Sequence, residues 1–322
     1  MTYEVNGIID IEGERPFGHV ITLHDVGQAG KIVELDGEGE DKRMALIDYE
    51  KCRVVILNVG TEPRLEQTIG NRGEGPGQFK SPRGLAFNRR AGEIYVSDAW
   101  LCRITVFDLW GKVLRVLGEE GVGEGQFQSP CGLCITSDGN VAVADSHNYR
   151  VQILRADGSF VRAIGTRMEQ CDVHFEDSPQ SQRPPNHRFG LPIDVCAGPE
   201  GGVNVLDLHH RRVEIFDKRG VHIKGFGSYG NGPGQFLFPG GMAVGGDGEI
   251  FVADRDRDNV QVFREDGELM ETIGDEDPGM VAWTGGPFDV AAGSQGEVIV
   301  IDGRRKISVL WKQGGFKGPQ KD

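Results

Sequence analysis

The sequence predicts an all-β protein, a six-bladed β-propeller of four-stranded antiparallel blades, and three observations predict it. An eight-residue motif recurs as Gly77-Gln78-Phe79-Lys80-Ser81-Pro82-Arg83-Gly84, Gly125-Gln126-Phe127-Gln128-Ser129-Pro130-Cys131-Gly132 and Gly234-Gln235-Phe236-Leu237-Phe238-Pro239-Gly240-Gly241. Six aspartates, Asp48, Asp98, Asp145, Asp207, Asp254 and Asp302, each close an apolar run, at spacings of 50, 47, 62, 47 and 48 residues. Each unit holds short β-branched runs parted by Gly-bearing turns, and no stretch has the period of a long amphipathic helix. Self-similarity at this period marks an array of like supersecondary units. Radial closure protects the sheet edges that such units would otherwise expose.

Unit two shows the elements in order, with strands expected at residues 84–87, 94–97, 104–107 and 113–117 and turns at Ala91-Gly92 and Leu109-Trp110-Gly111. In unit three the turns are Ser137-Asp138-Gly139 and Ala156-Asp157-Gly158. Alternation in Val151-Gln152-Ile153-Leu154 and Val213-Glu214-Ile215-Phe216 reads as half-buried strand. Five residues after the aspartates stand Arg53, Arg103, Arg150, Arg212 and Asn259, with Lys306 one residue early in the last unit. A pair present in every unit is a scaffold device: the Asp ends the second strand and accepts hydrogen bonds from the turn, with the basic residue nearby. A proline opens the units at Pro82, Pro130, Pro192, Pro239 and Pro287, with no counterpart in unit one. The last unit supplies strands at residues 288–292, 298–301 and 307–311 but no fourth. Residues 19–23, or 5–9, are expected to fill that place and close the ring. Residues 1–322 thus read as one propeller, with 166–188 as a long inserted loop and 312–322 as a tail.

The succession Gly-Gln-Phe-x-x-Pro-x-Gly, Val-x-Val-Ala-Asp and Arg-Val-x-Ile resembles the NHL repeat over residues 71–311, closely in units two, three and five. The resemblance implies a six-bladed propeller like that at the C-terminus of TRIM-NHL proteins, where it selects partners or substrates for a ubiquitin-ligase module. No zinc-rich RING pattern accompanies it here, so ligase activity is not expected of this chain. Related repeats also form an amidating lyase and, more distantly, gluconolactonase-like and strictosidine-synthase-like enzymes.

Composition narrows the function classes. A formal net charge of −14 argues against a general polyanion binder. There is no apolar run of 18 residues and no basic-then-apolar N-terminal segment, so a cytoplasmic location without membrane contact is expected. The six cysteines in a chain of this length do not suggest a disulfide scaffold. Cys131-Gly132-Leu133-Cys134 has a zinc-like spacing but no second such pair. Cys134 and Cys196 stand where other units have Ala86, Ala243 and Ala291, and read as small buried residues of the inner strand.

With the strands counted outward from the channel, the second-to-third and fourth-to-first connections share one face. Candidate partner-binding residues on it are Trp100, His209, His210, Arg211, Arg255, Arg257, Arg304 and Arg305, with Lys306 following. Asp256, Asp258 and the turn Asp275-Glu276-Asp277 lie among or near them. The cluster fits an acidic or phosphorylated peptide or an RNA stem, and equally fits solvated loop charge. Few aromatics stand near it for base stacking. Trp100 is either an interface anchor or packing against the next unit. The insert contains Ser178-Pro179-Gln180-Ser181-Gln182-Arg183-Pro184-Pro185, a loop composition, and loops of this length are either functional or merely disordered.

Enzyme readings need convergent groups in the channel. The resemblance implies zinc-binding histidines near the proline in the amidating lyase, but here the residues after the prolines are Arg83, Cys131, Ile193, Gly240 and Phe288. Asp194 and Asp289, at equivalent sites, are weak candidates for a Ca²⁺ ion, which takes more oxygen ligands than two carboxylates offer. His147, His187, His209 and His210 lack metal-ligand spacing, and no phosphate loop or nucleophile motif is present. The expectation is a non-enzymatic protein-interaction platform, monomeric and without cofactor. An RNA-binding propeller is the alternative, and a channel-sited metal-dependent lyase or hydrolase the third reading.

Overall fold

A computed structural model describes residues 18–23, 26–36, 42–59, 63–165, 189–274, 283, 285–304 and 306–310. Six four-stranded antiparallel sheets form its blades. Their inner strands are Ala29–Asp36, Pro82–Asn88, Pro130–Ile135, Pro192–Ala197, Pro239–Val244 and Pro287–Ala292. These touch one another in ring order, and the sixth returns to the first. The sixth sheet takes its outer strand from the start of the chain: Gly18–Thr22 pairs antiparallel with Lys306–Leu310, from Gly18 opposite Leu310 to Thr22 opposite Lys306. Of the two segments expected to close the ring, 19–23 was thus the right one, shifted by one residue. The 5–9 segment lies outside the described residues, as do the 166–188 insert and the 312–322 tail.

The core is not central. It is divided into six wedges, each between neighbouring blades, such as Ile47, Val54, Phe79 and Phe107 between the first and second. Second and third strands are buried on both faces, so Val203–Asp207 and Asn259–Phe263 are buried throughout. Outer strands alternate, as in Arg64–Ile69, because one side faces solvent. Each large side chain in a wedge contributes roughly 1.5–3 kcal/mol by leaving water.

The Gly-Gln-Phe motif braces the loop entering a blade. Phe79, Phe127 and Phe236 are fully buried. Each lies where a Cβ on Gly70, Gly118 or Gly227 would fall, and those glycines have φ of +80°, +79° and +93°. The Gln78 amide oxygen accepts from Gly75 N at 2.9 Å, and Gln126 and Gln235 repeat the bond to Gly123 and Gly232. Where the motif is missing another aromatic takes the place: Phe189 sits against Gly165 and Trp283 against Gly274.

All six repeated aspartates are fully buried. Asp98 accepts backbone N–H groups of Lys80 (2.7 Å) and Ser81 (3.1 Å) from the incoming loop, and of Trp100 and Leu101 (both 3.0 Å) from its own turn. Asp207 and Asp254 hold their incoming loops alike, at Gly190 and Leu191 and at Leu237 and Phe238. In every blade a turn N–H also donates to an incoming-loop carbonyl, as Arg255 N does to Phe238 O at 3.1 Å. The turn thereby becomes a short staple between two connections on one face.

The basic landmark behaves less uniformly than the sequence implies. Arg53 and Arg150 do pair with Asp48 and Asp145. Arg103 instead donates to the carbonyls of Gly75 (2.7 Å) and Gln78 (3.2 Å), and Arg212 pairs with Glu214 at 2.6 Å. In blade five Asn259 cannot reach so far, and Arg257 donates to the equivalent carbonyls of Gly232 (2.7 Å) and Gln235 (2.8 Å). On the other face, Lys42 bridges Glu34 and Glu297 while Arg89 pairs with Glu34, tying blades six, one and two.

Deleting residues 1–24 removes one strand pairing of five residue pairs and is expected to lower stability by roughly 3–5 kcal/mol, at about 1 kcal/mol per hydrogen bond. Urea unfolding of the truncated chain measures it. Asp145→Ala strands buried donors of Asn148, Arg150 and Gln152. It is expected to cost about 3–5 kcal/mol in the same assay, as breaking a buried ion pair does.

Candidate functional site

One end of the channel is a pocket of 240 Å³ on the face that carries the stapled connections. The five residues that follow the prolines, Arg83, Cys131, Ile193, Gly240 and Phe288, all line it. One register position of the repeat thus becomes the wall of a single cavity. Tyr49 and Arg255, from two stapled turns, and Ser129 and Phe238, from two incoming loops, form its rim.

The floor lies one residue deeper. Strand register sets Ala29 opposite Asp48 as Pro82 is set opposite Asp98, so Ala29 is the missing counterpart of the prolines in unit one. Counted from it, the ring two residues on reads Lys31, Gly84, Gly132, Asp194, Gly241 and Asp289. Lys31 Nζ donates to Asp194 Oδ2 at 2.5 Å, to Asp289 Oδ1 at 3.2 Å and to Met242 O at 3.5 Å. Asp194 also accepts from Val195 N (3.0 Å) and Met242 N (2.9 Å), and Asp289 from Ile32 N (2.8 Å). Gly132 and Gly241 make the room: a Cβ would meet Asp194 Oδ1 at 2.2 Å and Asp289 Oδ1 at 1.8 Å.

Burial opposes the Lys31 ammonium, yet the charges and hydrogen bonds of both carboxylates outweigh it and hold the lysine above its usual range. Burial, with the like charge of Asp194 added, pushes Asp289 up to about 7 against the pull of Lys31. The two carboxylates singled out as Ca²⁺ candidates therefore share a cation already, the ammonium of Lys31. Among the described residues no group of three or more His, Cys, Asp or Glu could hold a metal ion. A lysine held charged is no nucleophile. The described cysteines near the channel offer no thiolate either: burial pushes Cys131 and Cys134 up, and Cys196 to about 12. Cys196 is buried as expected, whereas Cys134 is only half-buried, packed beside the wedge of blades three and four.

Two arginines reach the pocket. Arg83 lies over the Tyr49 ring at 5.1 Å, and Arg255 over Phe238 at 4.1 Å. Tyr49 is in turn edge-on to Phe288, with ring centroids 5.9 Å apart. Burial pushes its phenol up to about 12, so it stays neutral.

The residues expected to bind a partner divide into two sets. Trp100 is 72% exposed, and Lys80 stands over its ring at 5.9 Å. His209 and Arg304 are exposed, and Arg255 is half-buried at the rim. Three others, His210, Arg211 and Arg257, hold scaffold groups. His210 Nδ1 lies 2.8 Å from Asp207 Oδ2. Arg211 donates to Leu237 O at 2.6 Å and to Leu208 O, and its backbone is left-handed with φ +52°. Arg257 holds the two carbonyls described above. Arg305 and Asp275-Glu276-Asp277 lie outside the described residues. Arg83, Tyr49, Phe238 and Lys31 did not figure among the sequence-based candidates for the site.

The NHL repeat model matches residues 127–154 and 236–263. The chain carries NHL repeats, as its motif implies. It is 28% identical to Protein brain tumor of Drosophila melanogaster over 130 residues, 40% of this chain and 12% of that protein. With NHL-repeat-containing protein 4 of Homo sapiens it shares 34% identity over 78 residues, 24% of this chain and 58% of that one. The chain therefore matches only part of the length of either. Solved structures of similar fold include a gluconolactonase from Xanthomonas campestris (TM-score 0.67, 15% identity, 97% of this chain and 99% of that one). A streptogramin B lyase has a TM-score of 0.62 at 11% identity, covering 93% and 98%. At such identities the likeness is of fold alone. Among the described residues no helix is long and apolar enough to cross a membrane.

Lys31→Met leaves two buried carboxylates without their cation and is expected to cost about 3–5 kcal/mol at pH 8. Carboxyls whose folded pKa is raised stabilise the fold below their unfolded pKa and lose that contribution as pH rises through the folded value. The variant is therefore expected to lie closer to the parent at pH 5 than at pH 8, measured by urea unfolding at both.

Proposed function

We propose that this NHL-repeat propeller is a non-enzymatic platform that binds a protein or peptide partner on the face bearing the stapled turns and the pocket. The observation that carries this reading is the division of that face. Its backbone is held by buried aspartates, while Trp100, His209, Arg255 and Arg304 are left at or near the surface. A rigid frame with an exposed Trp and Arg is the make-up of an interface hot spot, because little ordering entropy is lost when such groups are covered. The channel floor favours binding over chemistry: Lys31, Asp194 and Asp289 are spent on one another, and burial keeps the thiols beside them protonated. Arg257, Arg211 and His210 support the frame in this reading, and contact with the partner falls to the exposed set.

The chain is expected to enrich peptides from a displayed random library. Trp100→Ala combined with Arg304→Glu is expected to weaken the selected peptide at least roughly thirtyfold, the equivalent of a 2 kcal/mol hot spot. Thermal unfolding should be unchanged, since both side chains are exposed. Enrichment of a defined sequence from a randomised RNA pool, with no peptide selected, would replace this reading with an RNA-binding one. Its mark would be a steep salt dependence.

A further inference from the structure

The pocket has a charge arrangement that the exposed loops do not explain. Arg83 comes from blade two and Arg255 from blade five, three places apart in a ring of six, so they approach the cavity from opposite sides. Each guanidinium stands over an aromatic ring, an attractive placement for a cation, with Arg83 exposed and Arg255 half-buried. No carboxylate among the described residues is in ion-pair contact with Arg83. Among the described residues Arg255 pairs with one carboxylate, the half-exposed Asp256, a surface pair of small worth.

The wall between the arginines is apolar at Ile193 and Phe288, and at Gly240 it is backbone packed closely against the Phe288 carbonyl. Among the described residues the acids lining the cavity are Asp194 and Asp289, and both are engaged below by Lys31 and by backbone N–H groups. The rim is therefore locally cationic on a chain whose net charge is −14. A volume of 240 Å³ falls below the range of drug-sized ligand sites and suits a single side chain.

We infer that this pocket is a carboxylate receptor: it takes one acidic side chain of a partner peptide, its oxygens between Arg83 and Arg255 and its methylenes against Ile193 and Phe288. The inference rests on the platform reading and names the chemistry that the partner must present. Glutamate suits the site better than aspartate, because the apolar wall accommodates a longer stem. Phosphate offers the same oxyanion without the stem.

The test uses the full chain labelled with ¹⁵N-arginine, with the Nε–Hε signals of Arg83 and Arg255 assigned through Arg83→Lys and Arg255→Lys. The probes are N-acetyl-glutamate amide, N-acetyl-glutamine amide and inorganic phosphate. Saturable shifts of both signals with the glutamate probe are expected, with the glutamine probe at least roughly tenfold weaker, as loss of charge-assisted hydrogen bonds requires. Arg83→Gln is expected to weaken the glutamate probe by roughly the same factor while leaving thermal unfolding unchanged. Equal response to the glutamate and glutamine probes, absence of saturation, or saturation by phosphate alone would overturn the inference. None of those results touches the peptide selection, which reports on Trp100 and Arg304. Peptides that still bind while the pocket ignores glutamate would remove the receptor and leave the platform.

Discussion

A buried aspartate at the end of each second strand is the constraint on which the rest depends. A carboxylate out of water is costly unless its lone pairs are filled. N–H groups of the incoming loop serve Asp98, Asp145, Asp207 and Asp254, while Asp48 and Asp302 accept from their own turns. One side chain therefore fixes the end of a strand, the path of a turn and the entry of the chain into the blade. Where side chains assist, as Asn148, Arg150 and Gln152 do at Asp145, the carboxylate gains charge-assisted bonds. His210 helps to hold Asp207 below its usual range against the effect of burial, while Asp254, for which burial outweighs its backbone bonds, is raised. The scaffold tolerates that variation because the backbone staple is common to all six blades.

The symmetry of the frame makes the departures from it informative. Two residues past each proline, and past Ala29 in blade one, the inner ring holds three glycines, two aspartates and one lysine. No blade could accommodate a buried charge there alone. The ammonium from blade one and the carboxylates from blades four and six satisfy one another only when the ring is closed, and the neighbouring glycines give the carboxylates space. The channel is tied across at that level, so the cavity above it is a pocket rather than a pore. Binding at the rim can then draw on rigid walls without the cost of ordering them.

The fold was legible because it repeats: motif, aspartate and strand pattern recur often enough to be aligned against one another. The closing strand was legible too, since the last unit was one strand short. The site was less so. Lys31 escaped notice because nineteen residues part Ala29 from Asp48, against fifteen or sixteen in the other blades, and no proline marks the start. Counting strand partners back from Asp48, rather than looking for a proline, would have found it. Arg83 was set aside for not being histidine, although its place after the proline already assigned it to the channel. Arg257 looked like a free surface charge because nothing in the local sequence shows that Asn259 leaves two carbonyls for it to hold.

The sequence by itself determined the class of fold, the number of blades, the face on which the connections gather and the scaffold role of the aspartates. Each of these follows from local periodicity or from recurrence, which a linear chain displays openly. Only the tertiary structure decided which charges cancel and which remain available. Ion pairing depends on distances between residues far apart in the chain, such as Lys31 and Asp194, 163 positions away, and Lys31 and Asp289, 258 away. A ring converts equivalent positions in six repeats into neighbours, and one-dimensional spacing does not show which side chains will then meet.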